Sequence, residues 1–489
     1  MKQIPTFTTE LITLAQAFQS AGAVLYAVGG LPRNALLNVP PSDMDVCSVF
    51  TPEETAKLCE AHGYYCFQKA PQFGTSEIHV NGAHFEHTTF RGDTYGAGGT
   101  HRPACVRFST SLTDDAFRRD FTCNALYINI LTGDLSDPTG GEKDMQKRRI
   151  RTTSRDPAAI LRDDSLRILR MVRFACELGF TIEKETWKAA CAHVAGLADI
   201  AWERKREELM KILMSDTRYP TLTGEEVSPV LKGLTMLYEL GAFPYLIPEL
   251  LEGEGVAQRA RFHAYDVFAH NIHACAASAK KPEVRVAALL HDIGKPAALR
   301  EKGLPLDAGA GMRTTPDGTR IKSPMLGHDL LGVPIAREVL TRLRFPNEFV
   351  DDVLFLIEHH MFDLNNEAKE GTLRARFASY GYRRSQLLCD IREADMQGSG
   401  HDLLFIALRW REVLERMKHE GAPFSLEEVR CTGEDIMRWR NIQAGKEVGE
   451  IKRMLLKHCA RRPQDNRPEK LAKVVKNMAL RRIGENEPT

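Results

Sequence analysis

Gly29-Gly30 stands directly behind the apolar run Val24-Leu25-Tyr26-Ala27-Val28 and ahead of Arg33 and Asp43-Met44-Asp45, and no other stretch constrains this chain as strongly. The run reads as a buried strand and the glycines as a turn into a helix, with Pro32 in a first turn that tolerates its missing amide. Alternate residues of an extended segment face one side, so Asp43 and Asp45 converge while Met44 points into the core. Paired carboxylates are hard oxygen ligands suited to Mg²⁺. The amides of Gly29 and Gly30 admit a phosphate closely, with Arg33 as counter-charge. Such a set suits phosphoryl transfer, which asks for positioning and charge compensation more than for covalent help.

Further elements follow in order: Arg118-Arg119-Asp120-Phe121-Thr122 with Asn124, then Asp137-Pro138-Thr139-Gly140-Gly141 with Asp144, then Asp163-Asp164-Ser165-Leu166-Arg167 running on through Arg170 and Arg173. This series resembles the class II tRNA nucleotidyltransferase and bacterial poly(A) polymerase family, closely over roughly residues 20–185 and more loosely beyond. The resemblance implies an α+β protein with a small mixed-sheet head and helical domains behind it. It implies catalysis by Asp43 and Asp45 with Mg²⁺. Glu86, on the predicted strand Phe85–Arg91, either joins them as a third carboxylate or stays on the surface of an edge strand. Gly29, Gly30, Arg33, Arg118, Arg119, Asp120, Asn124, Asp164, Arg167, Arg170 and Arg173 are the implied nucleotide-binding residues. Two positions depart from the family pattern: Asn34 stands where Asp is usual and Pro32 where Val is usual.

Asp164, Arg167, Arg170 and Arg173 recur every three residues, which predicts a slanted stripe on one helix with Leu166, Leu169 and Val172 packing behind it. A carboxylate beside a guanidinium reads the edge of a base. Cytosine and adenine both offer an amine next to a ring acceptor, whereas uracil and guanine present the opposite order. A wrong base leaves buried polar groups unsatisfied at about 1–3 kcal/mol each. Such a pair can choose C and A without a template, and the resemblance implies that role here, with CTP and ATP added to the 3′ end of tRNA to build or repair CCA. The glycine-rich loop Gly92–His101 resembles the loop that accompanies terminal adenosine addition in the family. Poly(A) polymerase or A-only addition shares the same catalytic motifs and stays open, as does an HD phosphohydrolase whose head binds RNA.

A second constellation spans His270, His291-Asp292 ahead of Gly294-Lys295-Pro296, His328, His359 and Asp395. Imidazoles and carboxylates from successive helices suit a divalent transition metal, and the His291-Asp292 doublet resembles the HD phosphohydrolase superfamily. The Gly-, Pro- and Thr-rich stretch from about Glu301 to Ser323 predicts an exposed insertion flanking that site. Near the C-terminus, glycine turns at Thr432-Gly433 and Ala444-Gly445 precede a basic series including Lys452, Arg453, Arg461, Arg462, Arg481 and Arg482, a surface suited to a tRNA backbone.

At 489 residues the chain exceeds one core. The expected division is a head at 1–150, a base-reading helical neck at 151–250, an HD domain at 251–400 and a basic helical tail at 401–489. With 66 basic and 65 acidic residues, overall charge does not single out a nucleic-acid binder, so RNA contact rests on local patches. Eleven cysteines without a Cys-x-x-Cys pair predict reduced thiols. With no apolar run of about eighteen residues and no signal-peptide pattern in Met1-Lys2-Gln3-Ile4-Pro5, the expectation is a cytoplasmic protein without membrane contact or an obligatory protein partner.

Overall fold

A computed structural model describes residues 7–40, 44–94, 105–220, 222, 227–311, 313–314, 319–363 and 366–478. Asp43, most of the glycine-rich loop at 95–104, and Arg481 and Arg482 lie outside the described residues. The chain forms two compact units, Met1–Leu251 with Arg342–Arg344, and Glu252–Thr341 with Phe345–Thr489.

In the first unit, helix α1 (Thr9–Ser20) starts where the Thr8 hydroxyl accepts from the Leu11 amide, and its Leu11, Leu14 and Phe18 are buried. A seven-stranded sheet follows, built from β1 (Tyr26–Val28), β2 (Asp45–Ser48), β3 (Tyr65–Ala70), β4 (Thr75–Val80), β5 (Ala83–Thr89), β6 (Tyr127–Asn129) and β7 (Leu135–Ser136) in the order β3-β4-β5-β2-β1-β6-β7. β2 runs parallel to β5 and antiparallel to β1, so the sheet is mixed. Between β1 and β2 lies α2 (Gly30–Leu36), and between β2 and β3 lies α3 (Pro52–Ala61), opened by a Thr51–Glu54 capping box. One sheet face buries Leu25, Ala27, Val46, Ile78, Val80 and Phe85 with α1 and α3, and Met44 packs against this core.

Alternation along the strands sends Asp45 and Cys47 to the opposite face. There Cys47 packs with Val28, Phe90, Tyr127 and Ala116 of α4 (Leu112–Phe117). α5 (Gly141–Gln146) is anchored by Asp137, whose carboxylate accepts from the Gly141 and Glu142 amides at 2.8 and 2.9 Å. Asp144 accepts from Arg149, Arg151 and Thr122. The Asp137–Asp144 motif is thus a structural corner here. Beyond it the unit is helical: α6 (Pro157–Asp163), α7 (Leu166–Glu177), α8 (Lys184–His193) and α9 (Trp202–Leu213).

The second unit is almost wholly helical. The helices Val267–Ala277, Pro282–Leu290, His328–Arg342, Asn347–His359 and Tyr382–Gly398 hold, within them or just past their C-terminal ends, the clustered imidazoles and carboxylates described below. Most described residues of the Glu301–Ser323 segment are exposed, as expected of an insertion, but it is pinned at two points. Leu304 and Ala308 are buried with Val256, Val267 and Leu299, because the segment carries enough apolar side chain to join that core. All eleven cysteines are free thiols. Among the described residues no helix is long and apolar enough to cross a membrane.

Candidate active site and metal centre

Gly29 adopts φ 71° and turns β1 into α2. A Cβ at Gly29 would stand 3.3 Å from Asp45 Oδ2, so the glycine is what lets the carboxylate sit at the turn. Glu86 is registered across from Asp45 on the parallel strand and shares its face. Its carboxylate accepts from Lys69 Nζ at 2.8 Å and is substantially exposed, and Glu86 is absent from the wall of the cavity described next.

A cavity of about 460 Å³ opens beside this turn, lined by Gly29, Gly30, Arg33, Asp45, Arg118, Arg119, Asp120, Asn124, Asp164, Arg167, Arg170 and Arg173. All the nucleotide-binding residues that the resemblance implied therefore meet in one place, together with Asp45. Arg204, Lys211, Arg218, Leu166 and Phe174 complete the wall, which presents nine cationic side chains against three carboxylates. That surplus suits a polyanion such as a triphosphate.

The cations are aimed by hydrogen bonds. Arg33, 3% exposed, donates to Asn124 Oδ1 at 2.5 Å and to the Tyr219 hydroxyl at 3.1 Å. Asn124 donates to Asp120 Oδ1 at 3.0 Å, and Arg170 grips Asp120 Oδ2 at 2.8 and 2.7 Å. Burial opposes ionisation of Asp120, but Arg170 and Asn124 outweigh it and hold the carboxyl well below its usual range. Arg173 donates to Glu208 at 3.1 Å. Arg118 and Arg119 both bind Asp115, a fully buried carboxylate on α4, at 2.5 and 2.8 Å. The ring of Phe174 lies under three guanidinium groups, those of Arg33, Arg170 and Arg173, at 5.2, 5.3 and 4.2 Å from its centroid.

Asp164 and Arg167 stand differently from the single-helix stripe expected. Asp164 is the extended residue that ends α6 (φ −143°, ψ 100°), and α7 begins at Leu166, so only the arginines share the helix. The break gives the carboxylate two fixed partners: Oδ1 accepts from the Leu166 amide at 3.1 Å and Oδ2 from Arg204 Nη2 at 2.8 Å. Arg167 donates to the carbonyls of Ile160 and Arg118 at 3.0 and 2.9 Å. Acceptor and donor are thus held in place at the cavity wall before any base arrives.

In the second unit, His270, His291, Asp292, His328 and Asp395 come together, and the remaining imidazole is His360 rather than His359. The helix Asn347–His359 buries Val353, Leu356 and Ile357, and the next residue on that face is position 360. His359 instead stacks on Tyr380 with centroids 4.9 Å apart. His270 Nε2 lies 3.1 Å from His291 Nε2 and 3.0 Å from Asp395 Oδ1, while His328 Nε2 lies 3.0 Å from Asp292 Oδ1 and 3.3 Å from His360 Nε2. Two ligand triads result, His270–His291–Asp292 and Asp292–His328–His360, with Asp292 common to both.

All four imidazoles place Nδ1 against a backbone carbonyl, those of Gly398, Ala288, Met325 and Ile357, at 2.7–3.2 Å. That arrangement turns every Nε2 toward the centre, as metal ligation requires. Burial, then His291 and His328, pushes His360 down to about 3, which keeps it neutral, the form able to ligate a metal. Burial resists ionisation of Asp292, yet His291 and Lys295 hold it well below the carboxylate range. Lys295 Nζ sits 2.5 Å from Asp292 Oδ2.

Some site residues had no motif to announce them. Asp115 precedes Arg118 and Arg119 by three and four residues, a helical ion-pair spacing that was readable, and His360 was readable from the buried phase of its helix. Arg204 reaches the cavity, and Glu208 reaches Arg173 of its wall, from a helix some forty positions downstream, and nothing local signals them.

Residues 25–151 match the family of the poly A polymerase head domain, residues 255–396 the HD domain, and residues 179–224 a probable RNA and SrmB-binding site of polymerase A. The chain is 31% identical over 396 residues to an A-adding tRNA nucleotidyltransferase of Deinococcus radiodurans, covering 77% of this chain and 82% of that protein. It is 35% identical over 247 residues to a CCA-adding enzyme of a Geobacillus species, covering 50% of this chain and 56% of the relative. To a CC-adding tRNA nucleotidyltransferase of Halalkalibacterium halodurans it is 29% identical, covering 58% and 69%. The fold matches the structure of the Bacillus stearothermophilus CCA-adding enzyme in complex with CTP, with a TM-score of 0.65 at 24% identity over 95% of this chain and 96% of the other. Both the head and the HD domain imply dependence on divalent metal ions. By these matches and by the motifs gathered around one cavity, the chain belongs to the family of class II tRNA nucleotidyltransferases and bacterial poly(A) polymerases that carry an HD domain.

Proposed function

We propose that this protein is a template-independent nucleotidyltransferase that completes the 3′-terminal CCA of tRNA from CTP and ATP, releasing pyrophosphate. The observation that carries the reading is the single cavity in which Asp45, the Gly29 turn, the arginine wall and the Asp164–Arg167 pair meet. Asp45, with Asp43 before it and Glu86 on the neighbouring strand, would hold Mg²⁺, and the space that Gly29 leaves at Oδ2 fits that role. The ion, when bound, supplies charge compensation at the α-phosphate.

The chain's own residues do the rest. Gly29 and Gly30 admit the triphosphate, and Arg118, Arg119, Arg170 and Arg173 neutralise it. The tRNA 3′-hydroxyl gives up its proton to solvent and attacks the α-phosphorus as the bond from that phosphorus to the pyrophosphate oxygen breaks. Asp164 accepts from the amine of cytosine or adenine while Arg167 donates to the adjoining ring nitrogen, so one fixed pair serves both nucleotides. Arg204 holds the Asp164 carboxylate in place from 2.8 Å. Names among the relatives divide between A-adding, CC-adding and CCA-adding. The test is therefore extension of tRNA ending at the discriminator base, and of tRNA already ending in CC, with each nucleotide singly and together. Addition of two C and then one A supports the reading; extension only of the CC-ended tRNA by ATP makes it an A-adding enzyme, and long tails from ATP alone make it a poly(A) polymerase.

The division into head (1–150), neck (151–250), HD domain (251–400) and basic tail (401–489) belongs to the same reading, with the tail along the tRNA backbone. Helices Gly433–Arg440 and Lys446–Arg461 open at their N-termini on a cavity of about 580 Å³ lined by Thr432, Gly433, Gly445 and Gly449, a place for a phosphate. The two triads that share Asp292 favour a second activity, a phosphohydrolase whose transition-metal ions would be held by His270, His291, Asp292, His328 and His360, with Asp395 beside His270 and His291. Metal content near two per chain, with hydrolysis of a 2′,3′-cyclic nucleotide, tests it; a metal-free HD unit after reconstitution refutes it.

A further inference from the structure

A third set of metal-ligating side chains stands apart from both sites, on the open face of the head sheet. Asn81 (φ 49°) and Gly82 (φ 86°) form the two-residue turn between β4 and β5, and positive φ at both positions is the pattern of the tight hairpin turn that matches strand twist. This turn sets the register: Val80 faces Ala83, His79 faces His84, Ile78 faces Phe85 and Glu77 faces Glu86. Ile78, Val80 and Phe85 are buried in the head core. Alternation therefore brings Glu77, His79 and His84 out together on the solvent side.

Their atoms are already close. His79 Nε2 lies 2.8 Å from Glu77 Oε1. The rings of His79 and His84 meet at 89° with centroids 4.2 Å apart. One ligand atom from each of the three residues lies within 4.8 Å of the others, and Tyr65 closes one side edge-on at 5.2 Å from His79.

We propose that Glu77, His79 and His84 form a binding site for a zinc-class divalent ion. Two imidazoles and one carboxylate are a zinc donor set, and imidazole selects against Mg²⁺. Tetrahedral bonds of ~2.0–2.1 Å place ligand atoms ~3.4 Å apart, so atoms already within 4.8 Å of one another need only a small rearrangement, the His79–Glu77 pair opening from 2.8 Å. His84 is exposed. The fourth position faces solvent and remains open to water or an anionic ligand. Ligands from both strands make the ion a clasp across the hairpin. None of the three lines the nucleotide cavity, and Glu86 stands between Glu77 and Asp45 in the sheet, so the site is separate from the catalytic edge.

The test uses the full-length protein stripped by chelator, then carbethoxylation of histidines by diethyl pyrocarbonate with and without stoichiometric Zn²⁺, read peptide by peptide by mass spectrometry. Zn²⁺ is expected to protect both His79 and His84, and H84A is expected to abolish protection of His79 while leaving the Zn²⁺ response of His270 and His291 unchanged. Co²⁺ titration followed by visible absorption should show one equivalent fewer in H84A than in the parent. E77Q serves as a second variant with the same expected losses should H84A fold poorly. Equal modification of His79 with and without Zn²⁺, protection of one histidine alone, or protection of His79 that survives in both variants overturns the proposal.

Discussion

Replacing Asp115 by Asn isolates what holds the arginine wall in position. The Asp115 carboxylate is fully buried and accepts from Arg118, Arg119 and the Tyr127 hydroxyl, the last at 2.8 Å. Burial opposes its ionisation, but Arg119 and Arg118 outweigh burial and bring it from 3.8 to about 2. At about 1.4 kcal/mol per pH unit, this difference amounts to about 2 kcal/mol of head stability at neutral pH. Because the folded value lies below the unfolded one, that stability is fully present above pH 3.8 and is lost as pH falls toward 2. Asn keeps the shape and one acceptor but leaves Arg119 without its counter-charge and Arg118 with only Asp93, 3.8 Å away, which raises the expected loss to about 2–4 kcal/mol.

Native-state hydrogen exchange of peptides from β1, β2 and β6 reads the head by itself, which matters because a chain of two units does not unfold in one step. The variant should show that loss at pH 7 and a shallower fall in stability across the acid window. Its KM for the nucleoside triphosphate should rise, since Arg118 and Arg119 lose their aim. A stability change below about 0.5 kcal/mol, the range of an ordinary surface substitution, would refute the argument that Asp115 organises the wall.

Asp45→Ala should abolish nucleotide incorporation while tRNA binding, measured by filter retention, stays close to the parent; retained turnover removes the metal role of that carboxylate. Asp164→Asn puts an amide where Arg204 now finds a carboxylate and offers a donor to uracil. The ratio of kcat/KM for CTP over UTP should therefore fall roughly tenfold to a hundredfold, matching about 1–3 kcal/mol, and an unchanged ratio rules out base reading at this position. His360→Ala should lower transition-metal content in the HD unit, and His359→Ala should not, as read by elemental analysis of purified protein; the reverse pattern would contradict the assignment of His360 to the cluster.

Local pattern made a large part of this molecule legible. A strand, a glycine turn and a helix were written in Val24–Arg33, and the His291-Asp292 doublet behind an apolar helix announced the HD core, because backbone preference and hydrophobic period act over a few residues. Phase was harder to read. His359 and His360 are neighbours, yet only one lies on the buried face, and a single step along a helix turns a side chain by about 100°. The placing of Asp164 on the α7 stripe failed for a related reason: three-residue spacing was present, but Ser165 begins a new helix and the carboxylate belongs to the break before it.

What the amino-acid order determined by itself was the chemistry on offer and the elements that carry it: paired acids after a glycine turn, an arginine series, imidazoles at helix ends. Tertiary structure alone decided which charges meet. Arg204 reaches Asp164 across forty positions and Glu208 reaches Arg173 across thirty-five, and Asp115 disappears behind the wall it holds. Partners so distant in sequence are chosen by the packing of whole helices, and a buried charge settles for whatever counter-charge that packing brings within hydrogen-bond reach.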